Sequence, residues 1–192
     1  MSSRALMSWE GESAQRLEEL FEAHRRIGGT GPGRRYATKQ IDASLILQLA
    51  AHFQLFCRDL HSEAADALVA AAPKGYQAVL AITLTERRKL DTGNASDSSI
   101  RQDFARFGAD IRAESESARS LTAIRRRRLS QLMIWRNAIA HQDFTFTSQQ
   151  RKILDDTSIT LGSFRAWRGA CNGLAQTFDK VVAARIIAIT ES

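Results

Sequence analysis

Within the stretch IWRNAIAHQD, residues 134–143, the side chains best suited to chemistry are Arg136, Asn137 and His141. At about 100° per residue, Asn137 and His141 lie one turn apart and share a helix face. Arg136 falls on the apolar stripe of Leu129, Leu132, Met133, Ile139 and Ala140. It stands about 140° round the axis from His141, a gap that a long side chain near a helix end can cross. A guanidinium stays charged and is costly to bury without a partner. It is suited to the negative charge that grows on a phosphate in a transition state. A histidine in a last helical turn meets carbonyl ends and titrates near neutrality, which suits it to moving protons.

Together these are minimal parts for metal-free RNA cleavage. The ribose 2′-hydroxyl is deprotonated, attacks the adjacent phosphorus and leaves a cyclic phosphate. The sequence shows no metal-ligand cluster and implies no cofactor, so this scheme fits better than a two-metal nuclease. Spacing alone is weak evidence in a chain with 22 Arg and four His. The Asn after the Arg, the helix end and the charge on an apolar stripe add specificity. A structural reading competes: Arg136 pairs with a carboxylate of an earlier helix, Asp59 or Glu63, and His141 is only a C-terminal cap.

The elements that must position these residues are helices. SAQRLEELFEAHRRI predicts a short amphipathic first helix, and GGTGPGRR breaks it. From about Thr38 to Ala71, Leu45, Leu49, Phe53, Phe56, Leu60, Ala64 and Ala67 form one long stripe. A third helix is expected over about Tyr76 to Leu90. A fourth, capped by Ser98 or Ser99, is expected to run through Ile111. A fifth, about Ala118 to Ala140, delivers the motif near its end. QDFTFT is too short and polar for a core strand, and residues 148–155 read as a short helix. Thr160 or Ser163 then begins the last long helix, with Phe164, Trp167, Leu174, Phe178, Val181 and Ile186. The expected fold class is all-α, a bundle of long antiparallel helices. Residues 1–36 form an N-terminal helix and Gly-rich loop, and residues 37–192 the helical domain.

Composition bounds the partners. The chain has 192 residues and a formal charge of +6, so an acidic partner is plausible, nucleic acid before anionic membrane. Of 27 basic residues only five are Lys, and the guanidinium fork suits phosphate, although a GC-rich genome gives the same bias. Cys57 and Cys171 lie in helical patterns without CxxC or Cys/His clusters, as expected of buried thiols in a reducing cytoplasm. The stretch VVAARIIAI, broken by Arg185, is too short to span a bilayer.

RRRR, Arg125 to Arg128, precedes the motif, but four consecutive residues point all round a helix. One or two of them, taken as Arg125 and Arg128, are expected to reach RNA, and the rest to form a solvated surface. Asp59, His61 and Glu63 alternate along one helix and do not share a face, so no metal site is expected. Trp135, Trp167 and Phe164 read as core rather than as base-stacking platforms.

RNAIAHQ resembles the signature of HEPN domains, an all-helical superfamily with Arg, four to six residues, then His, in which the residue after Arg is often Asn. The layout is similar too: an early long helix with LAAHFQLFCRDLHSEA, the motif late in a later helix, and a final helix with FRAWRGACNGLAQTFDKVV. The resemblance implies a metal-independent endoribonuclease of toxin or defence type, with Arg136, His141 and Asn137 catalytic. It implies a homodimer whose two motifs line one cleft, and an antitoxin or defence-system partner protein. That dimer would explain an arginine on an apolar stripe. Some similar toxins carry a Tyr two residues after the His as an adenylylation target; Asp143 stands there in this chain. Other relatives are catalytically inactive nucleotide- or protein-binding modules, which is the alternative function.

Overall fold

The long apolar stripe becomes the axis of the molecule. Helix α3, Arg35–Ala71, is 37 residues long, about 55 Å at 1.5 Å per residue. Leu45, Leu49, Phe53, Phe56 and Leu60 are buried along it. The computed structural model describes residues 2–28, 35–111 and 121–191, with the backbone alone at 28 and 35–37. Among these residues there is no strand, so the fold is all-α. The expected glycine-rich break and the start of the fifth helix at Ala118 fall on residues 29–34 and 112–120, outside the described residues.

Around α3 pack α7, Leu121–His141, and α9, Leu161–Thr190. Thr160 lines one groove with Thr38, and Ile189 lines another with Leu68 and Ala71, so α9 runs parallel to α3. Ile139 of α7 reaches the beginning of α3, so α7 runs antiparallel to both. The three helices share a core of Leu129, Leu132, Trp167, Leu174 and Phe178 with the α3 stripe. Cys57 and Cys171 are buried in it, and desolvation pushes both thiols up from their ordinary range. A capping box of Thr160 and Ser163 starts α9.

The amino-terminal segment begins earlier than its polar composition predicts. Helix α1, Arg4–Ser8, passes through a π-helical turn, Trp9–Ser13, into α2, Ala14–Gly28. Trp9, Leu17 and Phe21 are buried in the same core as Leu49, Phe53 and Trp167. Distant carboxylates tie it down: Glu63 accepts the Arg4 and Ala5 N–H groups at 3.0 and 2.7 Å, and Asp179 accepts the Ser3 N–H. A local pattern carries no sign of such partners.

Further boundaries differ as well, the first of them for the same reason. The third helix was expected to reach Leu90, but α4, Lys74–Thr85, stops short, and α5, Lys89–Thr92, is separate. Between them Arg87 has φ +55°. Arg106 donates to the Thr83, Leu84, Glu86 and Arg87 carbonyls. The buried Asp103 carboxylate accepts the Lys89 and Leu90 N–H groups. Both helix ends are thus closed by side chains remote in sequence. The cap of α6, Asp97–Phe104, is Ser96 rather than Ser98 or Ser99. A 3₁₀ turn, Ala105–Phe107, and Gly108 at φ +68° end it before Ile111. Helix α8, Ser148–Leu154, forms as expected.

Candidate functional site

The site stands on the carboxyl end of α7, and contacts of Gln131 and Trp135 fix that helix. Gln131, buried, accepts the Trp167 indole N–H at 3.2 Å and donates to the Ile153 and Leu154 carbonyls. The Trp135 indole donates to the Thr157 carbonyl, and its ring packs on Phe144 and Phe146. Residues 142–147 therefore fold back over α7 with no strand, as their polarity suggests. Trp167 and Phe164 are core; Trp135 is half-buried.

The helix then closes in a Schellman turn. The Asp143 N–H donates to the Ala138 carbonyl at 3.0 Å and the Gln142 N–H to the Ile139 carbonyl. Gln142 takes the left-handed conformation, φ +53°, that glycine usually fills here. Its side-chain amide adds a hydrogen bond to the Ile139 carbonyl at 2.8 Å. His141 is the residue before this turn. Its ring is exposed and makes no hydrogen bond to a described residue. Asp143 is held below the usual carboxylate range, chiefly by the Thr145 N–H at 2.9 Å and in small part by His141.

Arg136 is half-buried. It forms no ion pair with a described carboxylate; its Nη1 donates to the Asn137 side-chain carbonyl at 3.2 Å. The guanidinium has swung off the apolar stripe toward the face that Asn137 shares with His141. The same Asn137 oxygen accepts a short hydrogen bond from the Asn94 amide. Asn94 lies between α5 and α6, in a loop that Gln54 of α3 holds by donating to the Leu90 and Gly93 carbonyls. Asn94 had no distinguishing sign in the sequence, where DTGNASDSS reads only as a loop.

The two carboxylates of the competing structural reading lie elsewhere. Glu63 caps α1, and Asp59 lines a surface cleft with Arg4, Ser8 and Asp66, where partial burial raises its pKa. Pairing of Arg136 with either is corrected by this placement.

The four consecutive arginines part company, as the helix period requires. Arg126 grips Asp97 through two bonds of 2.7 and 3.0 Å. Arg127 pairs with Asp155 at 3.0 Å and reaches the end of α8. Arg125 lies across Gly173 of α9, where any Cβ would collide with its guanidinium. Arg128 is exposed and makes no ion pair with a described residue. Of the two arginines expected to meet RNA, Arg128 points to solvent and Arg125 is half-buried on α9.

A groove of about 680 Å³ opens behind the motif, lined by Lys39, Asp42, Ile139, Gln142, Phe144 and Thr160 among others. Among the described residues no three His, Cys, Asp or Glu side chains gather as a metal site requires, and no helix is long and apolar enough to cross a membrane. No known family model, curated protein or solved structure matches the chain. The class that the fold defines is an all-α helical protein.

Proposed function

We propose that the protein is a metal-independent endoribonuclease, of toxin or defence type, that works as a homodimer with Arg136 and His141 at the cleft. The observation carrying this reading is Arg136 itself: a half-buried guanidinium held by an asparagine amide and paired with no described carboxylate. Arg126 and Arg88 are each matched by a carboxylate, Asp97 and Asp91, where Arg136 is not. The hydrogen bonds from Asn94 and Arg136 to Asn137 pre-organise the group without neutralising it, which suits an anion that arrives with the substrate.

In this reading His141 accepts the 2′-hydroxyl proton and the 2′-oxygen bonds to phosphorus. The 5′-oxygen departs with a proton, leaving a 2′,3′-cyclic phosphate and a 5′-hydroxyl. Arg136 offsets the charge that builds on the phosphoryl oxygens. One protomer offers a single exposed histidine here, so the acid for the leaving oxygen comes from the partner's His141 across a two-fold axis. The exposed motif end, with Ala140, His141 and Phe144, leaves room for that pairing.

The test is cleavage of mixed RNA by purified protein in excess EDTA, wild type against His141→Ala. We expect cyclic phosphate ends and at least about a hundredfold loss in the variant. Chelator-sensitive cleavage, or full activity in His141→Ala, overturns the reading; RNA binding without cleavage in the wild type would assign a catalytically silent binding module.

A further inference from the structure

The groove behind the motif has the make-up of a ligand site. At about 680 Å³ it has room for a nucleotide-sized molecule. Ile139, Phe144 and Ile159 give it apolar walls. Phe144 is 53% exposed although its ring also packs on Trp135. Lys39 and Asp42 enter from the first turns of α3, and Gln142 from the end of α7. At i and i+3, Lys39 and Asp42 share a helix face.

Asp42 is held from behind. His24 Nε2 of α2 lies 3.0 Å from its Oδ1, and the two side chains are only 12 and 20% exposed. His24 Nδ1 is buried and has no acceptor among the described residues. A doubly protonated ring would need one there, so these contacts assign the proton to Nε2, which donates to Asp42. The histidine orients the carboxylate without neutralising it. Burial raises the Asp42 pKa, and His24 pulls it back. No lysine or arginine among the described residues pairs with Asp42, so Oδ2 is open and Oδ1 keeps a second lone pair. Gln142 donates its amide to the Ile139 carbonyl at 2.8 Å, which leaves its own carbonyl oxygen over. The groove therefore offers acceptors, with one ammonium beside them.

Acceptors choose among bases by the donors each base presents. Guanine has N1–H and the N2 amine side by side, matching the two oxygens of one carboxylate. Adenine and cytosine set one amine beside a ring acceptor, and uracil sets one N–H between two carbonyls. Each of these would turn an acceptor toward Asp42. The compact charge of Lys39 suits a phosphate. We propose that this groove binds a guanine base bearing a phosphate, with Asp42 on the N1/N2 edge, Phe144 against the base and Lys39 at the phosphate. Such a base comes from a free nucleotide or from an RNA strand. The strand case rests on the nuclease reading and gives that activity its base preference; the free nucleotide does not depend on it.

The experiment is calorimetric titration of the full chain with GMP, IMP, AMP and guanosine. GMP should bind at least about tenfold more tightly than AMP or than IMP, which lacks only the N2 amine. Asp42→Asn should remove the preference for GMP over IMP, with unchanged helical circular dichroism. Lys39→Ala should weaken GMP by about five- to tenfold and leave guanosine unchanged. Octamers of 2′-O-methyl RNA, which cannot undergo 2′-hydroxyl attack, separate the two sources. An octamer with one guanine that binds more tightly than GMP assigns the strand, and GMP binding at least as tightly assigns the free nucleotide. Equal affinity for GMP, IMP and AMP, an unchanged preference in Asp42→Asn, or no binding of GMP or the guanine octamer at about 1 mM overturns the proposal, whether or not the protein cleaves RNA.

Discussion

Two Arg/His sets stand near opposite ends of α3, and they are built on different principles. At one end His61 is fully buried, packed against Phe104 and Phe107 with ring centroids 5.3 and 4.5 Å away. Its Nε2 donates to the Asp103 carbonyl, and its Nδ1 faces Arg88 Nη1 at 3.4 Å. Arg88 also grips Asp91 and the Ser62 hydroxyl. Every polar group there has a partner. Burial, with Arg88 and Arg106 nearby, lowers the His61 pKa to about 4, so the ring is neutral near pH 7. At the other end Arg136 has an amide for a partner, and His141 has solvent. The contrast separates satisfied polar structure from a polar site left open.

The largest expected effect breaks this contrast in one experiment. Arg136→Ala should cut RNA cleavage at least about a hundredfold while leaving the unfolding midpoint nearly unchanged. Arg88→Ala should do the reverse: a loss of about 2–3 kcal/mol of stability, with activity per folded molecule preserved. Arg136→Lys should not rescue, because an ammonium lacks the planar fork. Thermal unfolding beside single-turnover cleavage reads both. A large stability loss in Arg136→Ala would place that residue with Arg88.

Acid sharpens the comparison at the buried end. The folded pKa of His61 lies below its ordinary value, so the unfolded chain binds the extra proton between about pH 6.5 and 4. The resulting stability is full above pH 6.5 and is lost as pH falls through that window, by about 3 kcal/mol at most. Denaturant midpoints taken from pH 7 to pH 4 should fall accordingly. A flat profile would show that the His61 pocket opens readily to water.

Asn94→Ala tests whether the open site is held from a distance. The Asn137 amide would lose one of its two donors, and we expect kcat to fall about tenfold with KM nearly unchanged, through misplacement of Arg136. An unchanged kcat would remove Asn94 from the site. The smallest effects concern the arginine run. Arg128→Glu should weaken RNA binding and lessen its salt dependence without altering stability. Arg126→Glu should instead destabilise α6 against α7 through loss of the Asp97 pair.

The course of α3, the start of α9 at Thr160, the burial of Trp167 and the all-α class were legible because each follows from local periodicity or a cap a few residues away. So was the divergence of Arg125 to Arg128, since consecutive residues cannot face one way on a helix. The sequence also marked Arg136 as a charge on an apolar stripe and placed Asn137 one turn from His141. Tertiary structure alone decided what those charges face. Glu63 turned out to cap α1 rather than to hold Arg136, and Asn94 arrived beside Asn137 from a loop with no motif. The break between α4 and α5 depended on Asp103 and Arg106, whose carboxylate and guanidinium satisfy backbone groups that no nearby residue could reach. Short-range patterns specify helices because helical hydrogen bonds span four residues; partners for polar groups are chosen by packing, which brings together positions that the chain keeps far apart.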